Sequence, residues 1–271
     1  MKQYRIGDFA RCLGVTADFL KHYENAGLID VRQHDNGYRY YPFDQSARII
    51  EYLRLRNYGV TVKEMGDFLT GNAEEAVTLL DNKTAALEAE VRRMNAVIEA
   101  HRRLKRWYEK RQQRPIDWEI RETEPWVFLP HSDHQDFRRD KGLFELLKTW
   151  GMWLPVTKSA LAVDVGMTED TGVVHWGFAV QAALAEKYGL PVNEVVQTLT
   201  FGKAFVYHFV GLEGAFNMAD AAAGRHPAFL KMKALGLTPV GTGLLINEMR
   251  LTDAEGHAAG GVGRFIIPIR Q

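Results

Sequence analysis

Residues 72–114 read NAEEAVTLLDNKTAALEAEVRRMNAVIEAHRRLKRWYEKRQQR, bounded by Gly71 and Pro115. The stretch contains neither Gly nor Pro, and it is rich in Ala, Leu, Glu, Lys and Arg, which are strong helix formers. At about 1.5 Å per residue such a helix extends roughly 60 Å, which is longer than one compact domain requires. The sequence therefore predicts one long helix that joins two parts of the chain.

Apolar residues form a narrow seam along this predicted helix. They recur at steps of three and four residues, with interruptions at Thr84 and Lys105, and comprise Leu80, Leu87, Val91, Met94 and Ile98, followed by His101 and Tyr108. This spacing is typical of a coiled coil. Two interpretations are open: the helix packs within its own chain, or it pairs with its copy in a homodimer. We favour the homodimer.

The composition is that of a globular chain with room for two domains. It has 271 residues, of which 46% are hydrophobic and 25% charged. Lys+Arg and Asp+Glu are balanced at 34 each, so the net charge does not indicate a nucleic-acid partner. Cys12 is the only cysteine, which excludes disulfides within the chain and multi-thiolate metal sites. Because no signal peptide or long apolar run is visible, we expect a cytoplasmic protein with no membrane partner, metal or cofactor.

Residues 4–26 predict two short helices with a tight turn at Gly14. Thr16 is a good N-cap for the second helix, which we expect from Ala17 to about Asn25. A helix, a Gly-containing turn and a second helix form the helix-turn-helix pattern, in which the second helix enters a DNA major groove. By itself this pattern is shared by many small helical domains.

A basic, aromatic hairpin is predicted directly after the two helices. Asn36-Gly37 is a hairpin turn signal, and residues 38–41, with the sequence YRYY, return as a strand. Such a hairpin is a wing suited to lying against DNA phosphates. Two further helices are expected over residues 42–58 and 61–69. The sequence thus predicts an all-α winged helix-turn-helix domain.

Together these segments resemble the MerR family of transcription regulators. The resemblance covers residues 1–113, and its motifs are Tyr4-Arg5-Ile6-Gly7, Lys21-His22-Tyr23-Glu24 with Gly27-Leu28, Asn36-Gly37-Tyr38-Arg39-Tyr40-Tyr41, and Leu53-Arg54 to Gly59-Val60-Thr61. It implies antiparallel pairing of the long helix in a homodimer, binding to double-stranded promoter DNA, and activation by bending and untwisting that DNA for RNA polymerase. The candidate DNA contacts are Arg5, Thr16, Ala17, Asp18, Lys21, His22, Tyr23, Asn36, Tyr38, Arg39 and Thr61.

After Pro115 the sequence changes to short alternating runs separated by Gly and Pro, which predicts an α+β domain. Two successive rounds of strands and helix are expected, over about 117–181 and 195–270. The predicted domains are therefore 1–71 for DNA binding, 72–114 for dimerisation and 115–271 for ligand binding. His131 and His134, with Asp133 and Asp136, indicate a polar loop rather than a metal site.

Glu248 is the unusual residue of the carboxyl-terminal half. Strand alternation places it on the same inward face as Leu244 and Ile246, and a buried carboxylate needs a partner. Either Arg250 pairs with it, or it supplies negative charge to an aromatic pocket that favours a flat cationic ligand. The candidate ligand-binding residues are Trp126, Trp150, Trp153, Trp176, Phe178, Phe205, Tyr207, Glu248 and Arg250.

This half more distantly resembles the GyrI-like effector-binding domain of multidrug-sensing MerR proteins. The resemblance rests on domain order, on the two rounds and on Glu248 in a late strand, although Arg250 stands where such domains typically carry Tyr. It implies a ligand-responsive regulator that senses a small aromatic effector and is not an enzyme. Two alternatives are a small-molecule hydrolase, with Glu248 as general base near Tyr207, and a protein that mainly sequesters drugs.

Overall fold

The computed structural model describes residues 2–33, 37–114, 116–165, 174–211, 224–256 and 258–270. Asn36, a predicted DNA contact, lies outside these ranges. The chain divides into two compact units, Met1–Arg92 and Arg93–Gln271. Within the described ranges, no helix combines the length and apolar character that crossing a membrane requires.

The first unit contains the helix-turn-helix. Its elements are β1 (Gln3–Arg5), α1 (Ile6–Leu13), α2 (Ala17–Asn25), β2 (Arg32–Gln33), β3 (Arg39–Pro42), α3 (Gln45–Asn57) and α4 (Val62–Thr70). Gly14 ends α1 with a left-handed φ of 68°, and the Thr16 hydroxyl caps α2 by accepting from the Phe19 N–H at 3.1 Å. The predicted turn, N-cap and second helix are therefore confirmed.

A small sheet accompanies these helices, so the all-α description of this domain is incomplete. Its three strands lie in the antiparallel order β1-β3-β2. The sequence indicated a hairpin but gave no signal for β1, because three residues are too short to show alternation. Side chains from the helices and β3 form one core, whose largest fully buried members include Leu20, Tyr23, Tyr41, Ile49, Leu55 and Met65.

The predicted long helix is present as α5 (Ala73–Arg111). The apolar seam along it is exposed in the single chain: Leu87, Val91, Met94 and Ile98 are 53%, 56%, 52% and 44% accessible. In the second unit, the carboxyl-terminal part of α5 carries another stripe, which sequence reasoning missed. This stripe is buried or half-buried and comprises Ala96, Ala100, Leu104, Trp107 and Arg111.

In the described part of the second unit, the strands form one nine-stranded antiparallel sheet. Its strands are β4 (Ile116–Thr123), β5 (Trp126–Asp133), β6 (Asp136–Phe137), β7 (Lys158–Asp164), β8 (Val174–Gln181), β9 (Gln197–Leu199), β10 (Gly202–Gly211), β11 (Thr242–Thr252) and β12 (Ala258–Pro268). Among the described residues, the accompanying helices are α6 (Leu143–Met152), α7 (Ala182–Tyr188) and α8 (Pro227–Ala234). The hairpin of β5 and β6 contains the predicted polar loop.

The two predicted rounds are visible in the order of the strands. Each round supplies a strand, a helix and two strands: β5-α6-β7-β8 and β10-α8-β11-β12. In the sheet they run β10-β12-β11 and then β7-β8-β5, so that one is the reverse of the other and they meet where β11 pairs with β7. This topology gives the sheet an approximate two-fold symmetry that the sequence alone did not establish.

The two faces of this sheet have different surroundings. One face packs its aromatic side chains against α8, where Phe205, Tyr207, Phe209 and Phe265 join Ala228 and Met232. The other face carries smaller side chains, including Ala160, Ala162, Ala204 and Val206, together with Trp126 and Phe128. Side chains of the second face and of α5 line the cavity described below.

Candidate functional site

The outer surface of α2 presents the residues expected to approach DNA. Asp18, Lys21 and His22 are exposed, and the Lys21 Nζ lies 3.2 Å from the Asp18 carboxylate. Tyr23 differs, because it is 2% exposed and packs between Phe19 and Tyr52, with ring centroids 4.2 Å and 5.5 Å away. Tyr23 therefore belongs to the core that holds α2, and its ring is not available to a base.

Glu24 links α2 to the wing strand β3. Its carboxylate accepts from the Arg39 Nε at 3.0 Å and from the Tyr41 hydroxyl at 3.1 Å. Burial, together with the charge and hydrogen bond of Glu24, raises the pKa of the Tyr41 phenol, so the hydroxyl keeps its proton and donates. The orientation of the wing strand is thus fixed by a carboxylate on the second helix.

The wing and the first strand present a second group of exposed side chains. The Arg5 guanidinium lies 4.6 Å from the centroid of the Tyr38 ring, which is 55% exposed. Arg39 remains 49% exposed despite its contact with Glu24. Cationic and aromatic groups held at an exposed edge are suited to phosphate and sugar contacts.

A groove of about 440 Å³ lies between α2 and the start of α4. Its lining includes the predicted residues Thr16, His22, Tyr23 and Thr61, together with Arg56, which the sequence analysis did not select. The Arg56 guanidinium lies 5.8 Å from the centroid of the Phe19 ring. Arg56 lies in the last turn of α3, and this position could have indicated from the sequence that its side chain belongs to the groove.

The amino terminus of α4 is not the phosphate site that a bare helix end would offer. Glu64 occupies it: the Thr61 N–H and hydroxyl both donate to Glu64 at 2.8 Å. Lys83 donates to the same carboxylate, and with Thr61 it lowers the pKa of Glu64 to about 2. An anion already fills this position, so the end of α4 does not offer free N–H groups to a DNA phosphate. Thr61 stays a predicted DNA contact.

In the second unit, a cavity of about 260 Å³ lies between α5 and the sheet. Its lining residues are Ala100, Arg103, Leu104, Trp107, Trp126, Val156, Lys158, Gln181, Leu184, Glu248 and Arg264. Two of the predicted ligand-binding residues, Trp126 and Glu248, are brought together here. The other lining residues come from α5, from Val156 in the segment before β7, and from β7, β8, α7 and β12. The sequence could not assign these elements to a common site.

Glu248 is only 8% exposed, as strand alternation predicted, but its partners are different from the one expected. Its two oxygens accept from the Lys158 Nζ at 2.5 Å and from the Arg264 Nη2 at 3.1 Å. Burial raises the pKa of Glu248, but Arg264 and Lys158 outweigh this effect and leave the pKa below its ordinary value. The carboxylate is therefore ionised and doubly paired.

Arg250 is exposed and forms no part of this arrangement, so the proposed pair between Arg250 and Glu248 is wrong. A β-bulge explains the difference. Asn247 pairs with Gly263 and Met249 with Val262, which leaves Glu248 as the extra residue between them. A bulge interrupts the two-residue period, so counting from Glu248 to Arg250 no longer predicts a shared face.

Most of the predicted aromatic residues lie away from the cavity. Phe205 and Tyr207 are buried on the opposite face of the sheet, and Trp176 packs against the same cluster. Trp150, Phe178 and Trp153 contribute to the core around α6, where the Trp150 indole donates to the Pro191 carbonyl at 2.9 Å. Tyr207 and Glu248 thus face opposite sides, and the structure does not assemble the general-base pair considered for a hydrolase.

A buried polar group lies beside the cavity. The His208 Nε2 is 3.2 Å from the Glu119 carboxylate, and the ring lies 5.8 Å from that of Trp107. The Arg111 guanidinium in turn lies 4.8 Å from the centroid of the Trp107 ring. Burial and the nearby Arg111 lower the pKa of His208 to about 4, against an ordinary value of 6.5.

The stability of the second unit should therefore depend on pH through His208. Since the unfolded chain binds a proton at this residue near pH 6 and the folded chain does not, the free energy of unfolding should fall by about 1 kcal/mol from pH 6 to pH 5. Chemical denaturation at each pH measures this slope. His208→Gln should flatten it, whereas His101→Gln, at an exposed position on α5, should keep it. An unchanged slope in His208→Gln would contradict the assignment.

Comparison with known proteins bears on the first unit. Residues 4–71 match the family model described as MerR HTH family regulatory protein. The nodulation protein NolA of Bradyrhizobium elkanii is 30% identical over 93 residues, which are 34% of this chain and 42% of that protein. The chain thus spans less than half the length of this curated relative. The helix-turn-helix of residues 4–71 is therefore of the MerR type, and the family match ends before the second unit.

Two solved structures are similar at low sequence identity. One is the cryo-EM structure of an EcmrR–DNA complex, at 15% identity and a TM-score of 0.36, covering 99% of this chain and 100% of that chain. The other is HiNmlR, described as a MerR family regulator lacking the sensor domain and bound to promoter DNA. It has 20% identity and a TM-score of 0.33 and covers 41% of this chain and 90% of that chain. TM-scores below 0.5 do not establish a shared fold, so no inference rests on these two likenesses.

Proposed function

We propose that this chain is a MerR-family transcription regulator that binds double-stranded promoter DNA through its first unit. The observation that carries the proposal is the MerR-type helix-turn-helix at residues 4–71, with its wing tied to α2 by Glu24. The exposed cations Arg5, Lys21 and Arg39, with Tyr38, give this unit the groups that phosphate contacts require.

Arg39→Ala should weaken binding to the chain's own promoter DNA about tenfold and reduce the salt dependence by about one phosphate contact. The substitution removes a cation at the wing and also leaves the Glu24 carboxylate without its cationic partner, so that its negative charge repels the DNA phosphates. Fluorescence anisotropy with labelled promoter DNA, repeated at several salt concentrations, measures both quantities.

Arg102→Ala is the matched control, since Arg102 is also an exposed arginine paired with a carboxylate, but it lies on α5 outside residues 4–71. It should leave DNA affinity unchanged. Equal, weak binding of the wild-type chain to promoter DNA and to scrambled DNA would refute the regulator proposal for that promoter. Equal losses in the two variants would indicate a general charge effect rather than a wing contact.

We further propose that the regulator is a homodimer. The exposed seam of Leu87, Val91, Met94 and Ile98 supports this, because an apolar stripe of this kind on a long helix is normally covered by a partner helix. A second copy supplies a matching seam. Sedimentation equilibrium of the full chain should give the mass of two chains, and the mass of a single chain at micromolar concentration would contradict the dimer.

The mechanism we propose is activation by distortion of the promoter. The dimer would bend and untwist the DNA between two polymerase recognition elements, using phosphate contacts from wings and second helices, and so act on RNA polymerase indirectly. A ligand bound in the second unit must favour one dimer geometry by a difference in binding free energy. In-vitro transcription with a ligand titration would test this, and unchanged transcript levels at saturating ligand would oppose it.

The second unit is proposed to be a GyrI-like effector-binding domain. Its support is the pair of oppositely ordered strand–helix–strand–strand rounds and the buried carboxylate Glu248 beside the cavity between α5 and the sheet. The cavity has the indole rings of Trp107 and Trp126 in its lining, which suits a small aromatic effector. Trp126→Ala should abolish binding of such a ligand, and retained affinity would place the site elsewhere.

A further inference from the structure

The cavity between α5 and the sheet contains more positive than negative charge. Among the described residues that line it, Arg103, Lys158 and Arg264 are cationic and Glu248 is the single carboxylate. A cavity with an excess of fixed positive charge attracts anions and disfavours cations. The net charge of the cavity lining is therefore positive, whereas Glu248 considered alone would make it negative.

The negative charge of Glu248 is already used within the protein. Each of its oxygens has its own cationic partner, Lys158 on one side and Arg264 on the other. A cationic ligand would have to displace one of these partners and leave it buried without a counter-charge, which is costly. Glu248 therefore holds the two cationic side chains in place, and little of its negative charge remains to attract a positively charged ligand.

Two side chains of the cavity lining carry buried hydrogen-bond donors that are not satisfied by any described residue. The Trp107 Nε1 and the Arg264 Nε are buried and have no hydrogen-bond partner within the described part of the chain. Arg103 lines the cavity and has no ion pair with a described carboxylate. Unpaired donors in a buried site favour a ligand that accepts hydrogen bonds, and arginine is the preferred partner of a planar carboxylate.

The remaining walls are apolar. The Trp126 ring lies beneath Arg264, 5.6 Å from ring centroid to guanidinium carbon, and Leu104 and Leu184 complete the lining. A volume of about 260 Å³ accommodates a molecule of one or two rings rather than a large drug. The apolar walls thus favour a small, flat ring system. The hydrogen-bond donors favour a negatively charged group on that ligand.

We propose that this cavity binds a small aromatic carboxylate, so that the effector of the chain is an anion. The inference rests on the proposed function of the second unit as an effector-binding domain. The carboxylate contacts Arg103 and Arg264, and the aromatic ring packs against Trp126.

Isothermal titration calorimetry of the full chain tests the sign of the ligand charge directly. The probes are 2-naphthoate, 2-naphthamide and 2-naphthylmethylammonium, which share one ring system and carry negative, neutral and positive groups. We expect 2-naphthoate to bind at least about tenfold more tightly than either of the others, since hydrogen bonds to charged groups are the stronger ones.

Arg103→Gln locates the binding in this cavity. Arg103 is exposed on α5, so the substitution keeps the buried pairs of Glu248 intact, and 2-naphthoate affinity should fall about tenfold. Arg106→Gln is the matched control, because Arg106 is exposed on the same helix but is not among the lining residues, and it should change nothing.

The outcomes distinguish a failure of the proposed ligand class from a failure of the proposed effector-binding function. Tighter binding of 2-naphthylmethylammonium than of 2-naphthoate overturns the anionic effector and leaves the effector cavity standing. Binding of 2-naphthoate that is equal in wild type and Arg103→Gln also overturns the inference, because the anion is then held elsewhere. Binding of none of the three probes overturns the effector cavity as well, while DNA binding by the same protein stays a separate measurement.

Discussion

Glu248→Ala should lower the free energy of unfolding of the second unit by about 3–5 kcal/mol. The substitution removes the one carboxylate shared by Lys158 and Arg264, whose side chains are only 14% and 21% exposed. Two poorly solvated cations are then left close together without a counter-charge, which is the costly half of breaking a buried ion pair. Denaturation followed by tryptophan fluorescence reports on this unit alone, because all six tryptophans lie in it.

Glu99→Ala is the matched control for this prediction. Glu99 also has an arginine partner, Arg102, at 2.7 Å, but the two side chains are 48% and 63% exposed. An exposed pair of this kind contributes less than about 1 kcal/mol, so this variant should unfold almost as the wild type does. Equal effects of the two substitutions would show that the Glu248 cluster is solvated and contributes no more than a surface pair.

The pH dependence of the Glu248 contribution has a definite sign. Because the pKa of Glu248 in the folded chain lies below its ordinary value of 4.5, its stabilisation is complete above that pH and is lost as the pH falls through the folded pKa. The difference in stability between wild type and Glu248→Ala should therefore shrink as the pH falls below the ordinary value of 4.5. A difference that grew on acidification would contradict the ionised, paired carboxylate.

Gly177→Ala should destabilise the second unit by about 3 kcal/mol or more. Gly177 lies on β8 opposite Pro130 of β5. An added Cβ would lie 2.8 Å from the Leu129 carbonyl carbon and from the Pro130 Cα, and closer still to the Leu129 carbonyl oxygen. These are backbone atoms of a paired strand, so no change of side-chain rotamer relieves the overlap and the strands must separate.

Gly151→Ala is the same chemical change, but here we expect a slight gain in stability rather than a loss. Gly151 lies in α6, where an added Cβ would make an ordinary contact with the Phe178 ring at 4.0 Å. Since Gly costs a helix interior roughly 0.5–1 kcal/mol relative to Ala, this variant should be slightly more stable than the wild type. Denaturation by guanidinium of both variants, in parallel, measures the contrast. A Gly177→Ala variant as stable as Gly151→Ala would mean that β5 and β8 can move apart without cost.

Several features of the fold could be predicted because their causes lie close together in the sequence. Thr16 caps the helix that begins at the next residue, and Gly14 ends the helix before it. The long helix follows from 39 residues without a helix-breaking Gly or Pro. The motifs that resemble the MerR family are also short and local in the sequence. The family model matches residues 4–71, where these motifs lie.

The site in the second unit could be predicted only in part. Alternation in β11 correctly placed Glu248 inside, but a bulge at that residue broke the period and made Arg250 a wrong partner. The aromatic residues of this half indicated a pocket. Alternation along a strand assigns residues to one of two faces of the sheet, but nothing in the local sequence shows which of the two faces a helix covers. Trp126 lies on the cavity face, whereas Phe205 and Tyr207 lie on the other.

By itself the sequence determined the local elements: the helix-turn-helix, the wing and the long helix with its exposed seam, since hydrophobic period, caps and breakers act over a few residues. Tertiary structure alone decided which distant groups meet. Lys158 precedes Glu248 by 90 residues and Arg264 follows it by 16, and strand register brings all three together. The second stripe of α5 likewise acquires its role only when a sheet lies against it, because an ion pair or a cavity wall depends on packing between elements rather than on spacing within one.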